Sequence, residues 1–473
     1  MKDFEHIHTI YFLGIGGIGM SALARYFAAQ GYVVQGYDRT ESPLTQELEK
    51  EGIVIQYDDR VNRVQDLDPS STIIVRTPAV PEDMPVYVWL REQGFRILKR
   101  AEVLGLLTRS ARALCVAGTH GKTTTSTILA HILHHSHMGA NAFLGGIANN
   151  YHSNLVLDKH SDVVVVEADE FDRSFYHLTP YMSVITSIDA DHLDVYGTEE
   201  AYRESFMYYA GLVKEALVVH KRVMDTGEWL KVKGERRKAK LYSYAVGEKA
   251  DFYADNVIVQ DGAIWFDFHS PSGVLSGVRL GVPSWVNIEN SVAAMAMAQL
   301  MGATDEELRR GVESYTGVYR RFDQHVNTTA VAYLDDYAHH PQEIKATLES
   351  IRKIYPNRHM IGVFQPHLYS RTRDFAEDFA EVLGGLDEVL LLPIYPAREL
   401  PIEGVTSEWL LGKVKIDGLK ALVEKEEVVE YLRERITELM DNGQNCVLIT
   451  MGAGDIDRLV NDITKTLMYE KNG

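Results

Sequence analysis

The segment Leu114–Thr125 constrains the fold of this 473-residue chain more than any other. Its apolar run from Leu114 to Ala117 predicts a buried strand, glycines then mark a tight loop, and apolar residues resume at helical spacing from Ile128. A strand, a glycine-rich loop and a helix in this order form a cradle for a polyphosphate, because backbone N–H groups and the helix N-terminus attract anions. We therefore expect a nucleoside triphosphate to bind here.

Residues 118–124 form this phosphate loop, and two of its side chains supply the remaining chemistry. Lys122, which we expect to be solvated, can reach the terminal phosphates, and the Thr123 hydroxyl can coordinate Mg²⁺. Val116 replaces the first glycine of the usual G-x-x-x-x-G-K-[ST] pattern, so the loop is a shortened variant. The predicted triphosphate-binding residues are Gly118, Thr119, His120, Gly121, Lys122, Thr123 and Thr124.

Composition narrows the class of protein. The length suggests about three domains of roughly 150 residues each. The formal net charge of -19 argues against nucleic-acid and anionic-membrane partners, which attract a basic surface. Cys115 and Cys446 are the only cysteines, and both lie in apolar runs, which excludes a disulfide framework and favours a reducing compartment. With no apolar stretch of ~18 residues and no N-terminal signal pattern, we expect a cytoplasmic protein.

A second glycine-rich turn, Gly14–Gly19, follows a predicted strand at His8–Leu13. It reads G-x-G-x-x-G, and Asp38 ends the next predicted strand, Val33–Tyr37, so the dinucleotide fingerprint is complete. NAD is one interpretation. Because the chain already carries a triphosphate loop, we favour the diphosphate of a UDP-type substrate. The predicted substrate-binding residues are Gly14, Gly16, Gly17, Ile18, Gly19, Asp38, Arg39 and, after a third strand at Thr72–Val75, Thr77.

Acidic residues follow the central strands. The valine run Asp162–Val166 predicts a strand buried on both faces of a parallel sheet, and Glu167 comes directly after it. The next predicted strand, Ser183–Ile188, precedes His192. Because parallel strands end at one edge, we expect Glu167 and His192 to complete a metal site with Thr123. A solvated acidic turn is the alternative.

The end of the central region offers two further nucleotide contacts. Alternation over residues 251–282 predicts an antiparallel meander, and a helix is predicted at Ile288–Met301. Asn287 lies near that helix start, where its amide either reads an adenine edge or caps the helix. Arg320 and Arg321 either reach phosphate or form an interdomain salt bridge.

From Val331 onward, strands and helices alternate again, which predicts a second doubly wound α/β sheet. Its predicted strands are 331–334, 360–364, 388–392 and 445–450, and helices are expected from Gln342 and Asp374. Polar loops follow three of the strands, at the carboxyl edge where open sheets bind ligands. The predicted domains are 1–109, 110–324 and 325–473.

Six motifs together resemble the Mur ligases of peptidoglycan synthesis, in the right order along nearly the whole chain. They are Gly118–Thr124, Glu167–Glu170, Asp191–Asp194, Asp335–Pro341, Phe364–His367 and Gly452–Asp455. Phe206 stands where ligases that add later amino acids carry a carbamylated lysine, which favours the alanine-adding branch. The loop Arg76–Ala79 and the residues Val286 and Leu368 depart from the family pattern.

The resemblance implies an α/β fold with three domains: an N-terminal Rossmann-like UDP-binding domain, a central P-loop ATPase-like parallel sheet with an appended meander, and a C-terminal Rossmann-like domain. It implies that ATP and Mg²⁺, or Mn²⁺, support amide formation between UDP-N-acetylmuramate and L-alanine through an acyl-phosphate. Asn287 and Arg321 would hold the nucleotide and Asp336 its ribose, whereas the alanine and the reacting carboxylate would be bound by Tyr337, His339, His367 and Arg371. The implied catalytic residues are Lys122, His192, His339, His367 and Arg371.

Three alternatives stay open at this point. A recycling ligase that joins a tripeptide to UDP-N-acetylmuramate shares much of the pattern. An NAD-dependent oxidoreductase would use Gly14–Gly19, and a non-catalytic UDP-sugar sensor would bind without turnover. We expect a monomer or a weak homodimer.

Overall fold

The structure is a computed structural model that describes residues 4–189, 193–226, 239–260, 262–397 and 399–469, without the side chains of residues 193, 194 and 469. The chain divides into two compact units. One contains residues 1–255, 267–278 and 289–315, and the other contains residues 256–266, 279–288 and 316–473. Among the described residues, no helix combines the length and apolar character needed to cross a membrane.

The first sheet is fully parallel, with strand order β3-β2-β1-β4-β5. Its strands are β1 (Thr9–Leu13), β2 (Val33–Tyr37), β3 (Val54–Gln56), β4 (Thr72–Arg76) and β5 (Arg96–Lys99). Its helices are α1 (Ile18–Ala29), α2 (Pro43–Lys50), α3 (Pro85–Glu92) and α4 (Arg100–Arg109). Leu13 pairs with Tyr37 on one side and Arg76 on the other, so the loops after β1, β2 and β4 meet at one edge.

The second sheet has ten strands, in the order β15-β14-β13-β12-β11-β10-β6-β9-β7-β8. The strands are β6 (Arg112–Ala117), β7 (Asn141–Ala148), β8 (Ser153–Val156), β9 (Val163–Ala168), β10 (Met182–Ile185), β11 (Ala216–His220), β12 (Lys240–Val246), β13 (Phe252–Gln260), β14 (Ala263–Ser270) and β15 (Gly273–Arg279). The helices are α5 (Lys122–His134), α6 (Leu193–Tyr196), α7 (Glu199–Ala210), α8 (Lys221–Met224), α9 (Trp285–Met301) and α10 (Asp305–Ser314). The predicted meander is confirmed as β13 to β15.

The third sheet has the order β16-β17-β21-β18-β19-β20. Its strands are β16 (Asp323–Asn327), β17 (Val331–Asp336), β18 (His359–Phe364), β19 (Glu388–Leu391), β20 (Lys420–Leu422) and β21 (Cys446–Met451). Its helices are α11 (Pro341–Ile354), α12 (Tyr369–Asp374), α13 (Ala376–Leu383), α14 (Ser407–Lys413), α15 (Lys425–Asp441) and α16 (Val460–Tyr469). Within the described part of this sheet, only β16 pairs antiparallel, and that edge strand was not predicted.

The predicted α/β fold with three sheets is confirmed, and most differences concern element ends. The valine strand β9 is buried on both faces, as expected of an inner parallel strand. The strand predicted at Ser183–Ile188 ends earlier, at Ile185, and the helix predicted from Asp374 corresponds to α13, which begins at Ala376. Cys115 and Cys446 are free, buried strand residues, as predicted. The domain boundaries stay predictions.

Candidate active site

The phosphate loop follows β6 at the carboxyl edge of the second sheet. Ala117, the last residue of β6, pairs with Ala168 of β9 and Ile185 of β10, so the loop lies between the segments that follow those two strands. Gly118 and Gly121 have φ values of +135° and +79°, which strain any residue with a side chain. A Cβ on Gly118 would also overlap the Thr186 hydroxyl. The loop conformation therefore depends on glycine at both positions.

Lys122 is held inside the loop by a buried ion pair. Its Nζ donates to Glu170 Oε1 at 2.8 Å and to the carbonyl oxygen of Gly118 at 2.6 Å. The side chains of Lys122 and Glu170 are 14% and 2% exposed, so the expectation of a solvated lysine is wrong. Burial raises the pKa of Glu170, and the charge of Lys122 partly offsets that rise. The Lys122 ammonium is therefore fixed within the loop where we predict that the triphosphate binds.

Thr123 and Glu167 meet as predicted. The Thr123 hydroxyl donates to Glu167 Oε2 at 2.9 Å. Gly145 of β7 makes this contact possible, because a Cβ there would overlap Glu167 Oε2 and lie 2.9 Å from Thr123 Oγ1. Hydroxyl and carboxylate oxygens are the ligand types that Mg²⁺ prefers.

His192, the third predicted metal ligand, lies outside the described residues. Within the described ranges, no cluster of three or more His, Cys, Asp or Glu residues is arranged to hold a metal ion. The geometry therefore shows the Thr123–Glu167 pair, and the contribution of His192 stays a prediction.

Side chains that the sequence did not single out fix the shape of the phosphate loop. Thr119 Oγ1 lies 2.9 Å from the Tyr202 hydroxyl, and the His120 N–H donates to Ser187 Oγ at 2.9 Å. Further along, the Thr125 hydroxyl donates to Asn290 Oδ1 at 3.1 Å. These partners come from distant parts of the chain, so only the folded structure reveals the contacts.

The glycine turn, residues 14–19, joins β1 to α1 at the carboxyl edge of the first sheet. Gly14 has a φ of +85°, and a Cβ there would lie 2.5 Å from the Thr77 methyl carbon. The Gly16 N–H donates to Asp38 Oδ2 at 2.7 Å. The structure thus brings Asp38 and Thr77 to the turn as predicted, but the Asp38 carboxylate is bound by the backbone of the turn itself. Arg39 is exposed.

Two histidines and an arginine lie together after β17 and β18 in the third sheet. The rings of His339 and His367 are 6.1 Å apart, and Arg371 Nη1 lies 3.3 Å from His367 Nδ1. Tyr337 lies 5.3 Å from the His339 ring. Burial and the charge of Arg371 lower the pKa of His367 to about 4, and burial also lowers the pKa of His339. Both imidazoles are therefore neutral at pH 7.

The substitution Arg371→Ala is expected to raise the pKa of His367 from about 4 toward the ordinary value, because it removes a nearby positive charge. The rise is partial, since burial contributes the largest part of the shift. An NMR titration of the imidazole measures the change. Arg373→Ala is the matched control, because Arg373 pairs with Asp374. An unchanged His367 titration in Arg371→Ala would contradict the proximity of the two groups.

Two other residues that are predicted to contact the nucleotide, Asn287 and Asp336, form hydrogen bonds within the protein. Asn287 lies in the first turn of α9, where its Nδ2 donates to the Val282 carbonyl at 3.3 Å. Asp336 accepts a hydrogen bond from the Thr347 hydroxyl at 2.5 Å, and burial raises its pKa to about 6. Arg321 is exposed, unlike its neighbour Arg320.

Arg320 forms a buried ion pair with Asp335. Its Nε donates to Asp335 Oδ2 at 3.2 Å, with side-chain exposures of 8% and 0%. Arg320 therefore forms a salt bridge, one of its two predicted roles. Arg320 and Asp335 both lie in the second unit, so this salt bridge does not join the two units.

Three family models match consecutive parts of the chain. Their descriptions are "Mur ligase family, catalytic domain" for residues 9–112, "Mur ligase middle domain" for residues 116–298 and "Mur ligase, glutamate ligase domain" for residues 320–454. The chain belongs to the Mur ligase family. The matched segments correspond to the three sheets described above.

Full-length members of this family are similar to the chain. The UDP-N-acetylmuramate–L-alanine ligase of Porphyromonas gingivalis strain W83 is 51% identical, with 95% of this chain and 97% of the relative covered. The enzyme of that name from Christiangramia forsetii is 44% identical over 99% and 100% of the two chains. The crystal structure of the Thermotoga maritima UDP-N-acetylmuramate–alanine ligase superposes with a TM-score of 0.77 at 26% identity, covering 98% of this chain and 99% of that one.

Proposed function

We propose that this chain is an ATP-dependent ligase that forms an amide between the lactoyl carboxylate of UDP-N-acetylmuramate and the amine of L-alanine, in peptidoglycan precursor synthesis. The observation that carries the proposal is the meeting of Lys122 and the Thr123–Glu167 pair at one phosphate loop. Relatives that match nearly the whole chain are named UDP-N-acetylmuramate–L-alanine ligase. The expected site of action is the cytoplasm, and the expected state is a monomer or a weak homodimer.

Phosphoryl transfer is the first chemical step of the proposal. The lactoyl carboxylate attacks the γ-phosphorus of ATP, which yields an acyl-phosphate and ADP. Charge on the transferred group is stabilised by Lys122 and by the backbone N–H groups of residues 118–124. Thr123 and Glu167, together with His192, are the residues that would hold Mg²⁺ or Mn²⁺, which supplies positive charge at the phosphates when bound.

Amide formation is the second step. The uncharged alanine amine attacks the acyl carbon, phosphate leaves, and the nitrogen loses a proton. His339 and His367 are neutral at pH 7, so either imidazole can accept a proton, and Arg371 supplies a donor for a carboxylate. Tyr337 completes the assigned alanine site. Asn287 and Arg321 are assigned to the nucleotide and Asp336 to its ribose, whereas the glycine turn with Asp38, Arg39 and Thr77 is assigned to UDP.

A phosphate-release assay tests the function. We expect release of phosphate only when ATP, UDP-N-acetylmuramate and L-alanine are all present, with the amide product identified by mass spectrometry. Glycine, L-serine and the tripeptide L-alanyl-γ-D-glutamyl-diaminopimelate complete the panel, and NADH binding is measured by calorimetry. Turnover with the tripeptide but not with alanine would replace the proposal by the recycling ligase. NADH binding without turnover would replace it by an oxidoreductase.

A further inference from the structure

Arg100, the first residue of α4, lies between the glycine turn and the acidic segment after β9, all within the first unit. A Cβ on Gly19 would lie 2.7 Å from Arg100 Nη1 and 3.2 Å from its Cζ, so the guanidinium packs directly on this glycine. Its Nη2 donates to Asp169 Oδ2 at 3.2 Å. Among the described residues, this is the one hydrogen bond that the guanidinium donates.

The glycine turn carries no cationic side chain of its own. No residue from Gly14 to Gly19 is charged, and the first turn of α1 has no acidic side chain and no side-chain cap at Gly17. Gly17 and Ile18 are exposed. A diphosphate on this helix N-terminus would gain backbone donors, but its charge would be compensated only by a neighbouring cation. Among the described residues, Arg100 supplies the atoms that lie nearest to a Cβ on Gly19.

We propose that Arg100 binds the diphosphate of the nucleotide-sugar substrate while its Nη2 keeps its hydrogen bond to Asp169. This inference rests on the function proposed above. The planar guanidinium suits both tasks, because one edge can donate to phosphate oxygens while Nη2 keeps its bond to Asp169. Glu167 is two residues from Asp169 and contacts Thr123 in the phosphate loop.

A neighbouring ion pair provides a matched control. Lys99 Nζ lies 2.9 Å from Asp172 Oδ2, so it joins the same two segments as Arg100 does. Both of its side chains are more than 40% exposed, and the three atoms nearest to a Cβ on Gly19 all belong to Arg100 rather than to Lys99. A role for Arg100 that consisted only of joining the segments would therefore be shared by Lys99, whereas binding of the diphosphate would not.

Calorimetric titration with UDP and with UDP-N-acetylmuramate tests the inference on Arg100→Ala, Arg100→Lys, Lys99→Ala and Asp169→Asn. We expect Arg100→Ala to weaken both ligands at least tenfold, about 1.4 kcal/mol. Arg100→Lys should lie in between, because it keeps the charge without the planar fork. Lys99→Ala and Asp169→Asn should stay within about twofold of wild type, as should the KM for ATP in Arg100→Ala.

The possible results distinguish a failure of the role of Arg100 from a failure of the proposed ligase function. Affinity of Arg100→Ala within about twofold of wild type, or an equal loss in Asp169→Asn, would overturn the role of Arg100 while leaving the ligase function intact. If Arg100→Ala does not fold, Arg100→Lys and Asp169→Asn decide the question by the same comparison. A wild-type protein that binds neither UDP nor UDP-N-acetylmuramate would overturn the proposed function itself.

Discussion

Replacing Lys122 with alanine is expected to lower kcat for phosphate release by about 10²–10³-fold, the loss typical of removing one preorganised donor from a developing charge. It is also expected to lower the melting temperature, because Glu170 is then left buried without its cation. The pKa of Glu170, already raised by burial, rises further. The folded state then binds this proton more tightly than the unfolded state, so the loss of stability grows as pH rises above the ordinary range of a glutamate.

The double variant Lys122→Ala/Glu170→Gln separates the two effects. It removes the uncompensated charge, so we expect a melting temperature close to that of Glu170→Gln alone, with kcat as low as in Lys122→Ala. Single-turnover phosphate release and thermal unfolding between pH 5 and pH 8 are the measurements. Recovery of kcat in the double variant would mean that Lys122 acts only through stability, which would contradict its assignment to the phosphates.

The substitution Gly145→Ala is expected to reduce kcat by about a hundredfold, because a displacement of roughly 1 Å at a reacting centre has that effect. The new methyl group would overlap Glu167 Oε2 and would lie 2.9 Å from Thr123 Oγ1, so the carboxylate must move away from the hydroxyl. The Mg²⁺ concentration for half-maximal rate should rise at the same time, since both oxygens are the proposed ligands.

Two further variants calibrate that result. Gly412→Ala in α14 is the matched glycine control, because its Cβ would meet no atom within 4 Å. We expect it to change neither kcat nor the Mg²⁺ dependence. Adding Glu167→Asp to Gly145→Ala shortens the carboxylate and should recover part of the rate. A Gly145→Ala enzyme with wild-type Mg²⁺ dependence would show that the Thr123–Glu167 contact has no part in metal binding.

Features fixed by local pattern were predictable from the sequence. The apolar runs of β6 and β9 predict buried parallel strands, and because parallel strands share their carboxyl edge, the contact between Thr123 and Glu167 followed. The same reasoning placed Asp38 and Thr77 beside the glycine turn. Helix α12 was missed because its six residues, Tyr369–Asp374, carry no apolar period, and it begins after Leu368, whose φ is +71°.

Features fixed by packing were not predictable. The motif predicted acids after β9, but pattern alone cannot distinguish a solvated acid from Glu170, which is 2% exposed and paired with Lys122. Arg100 belongs to no motif, since its importance depends on where α4 lies against Gly19 and Asp169. Gly145 likewise lies in an ordinary strand sequence, and only its neighbours Glu167 and Thr123 show that a side chain there would not fit.

The hydrogen bond from the Gly16 N–H to Asp38 means that the glycine turn contains its own competitor for anions. An intramolecular carboxylate has a high effective concentration at that donor, so an incoming phosphate must displace it before gaining the same bond. A small anion that binds only at this donor must break the hydrogen bond between Gly16 and Asp38 and gains no other contact in return. A nucleotide held also by its base and sugar does not depend on that one bond. A turn that binds the substrate diphosphate, as proposed above, would therefore favour that nucleotide over free phosphate and sulfate.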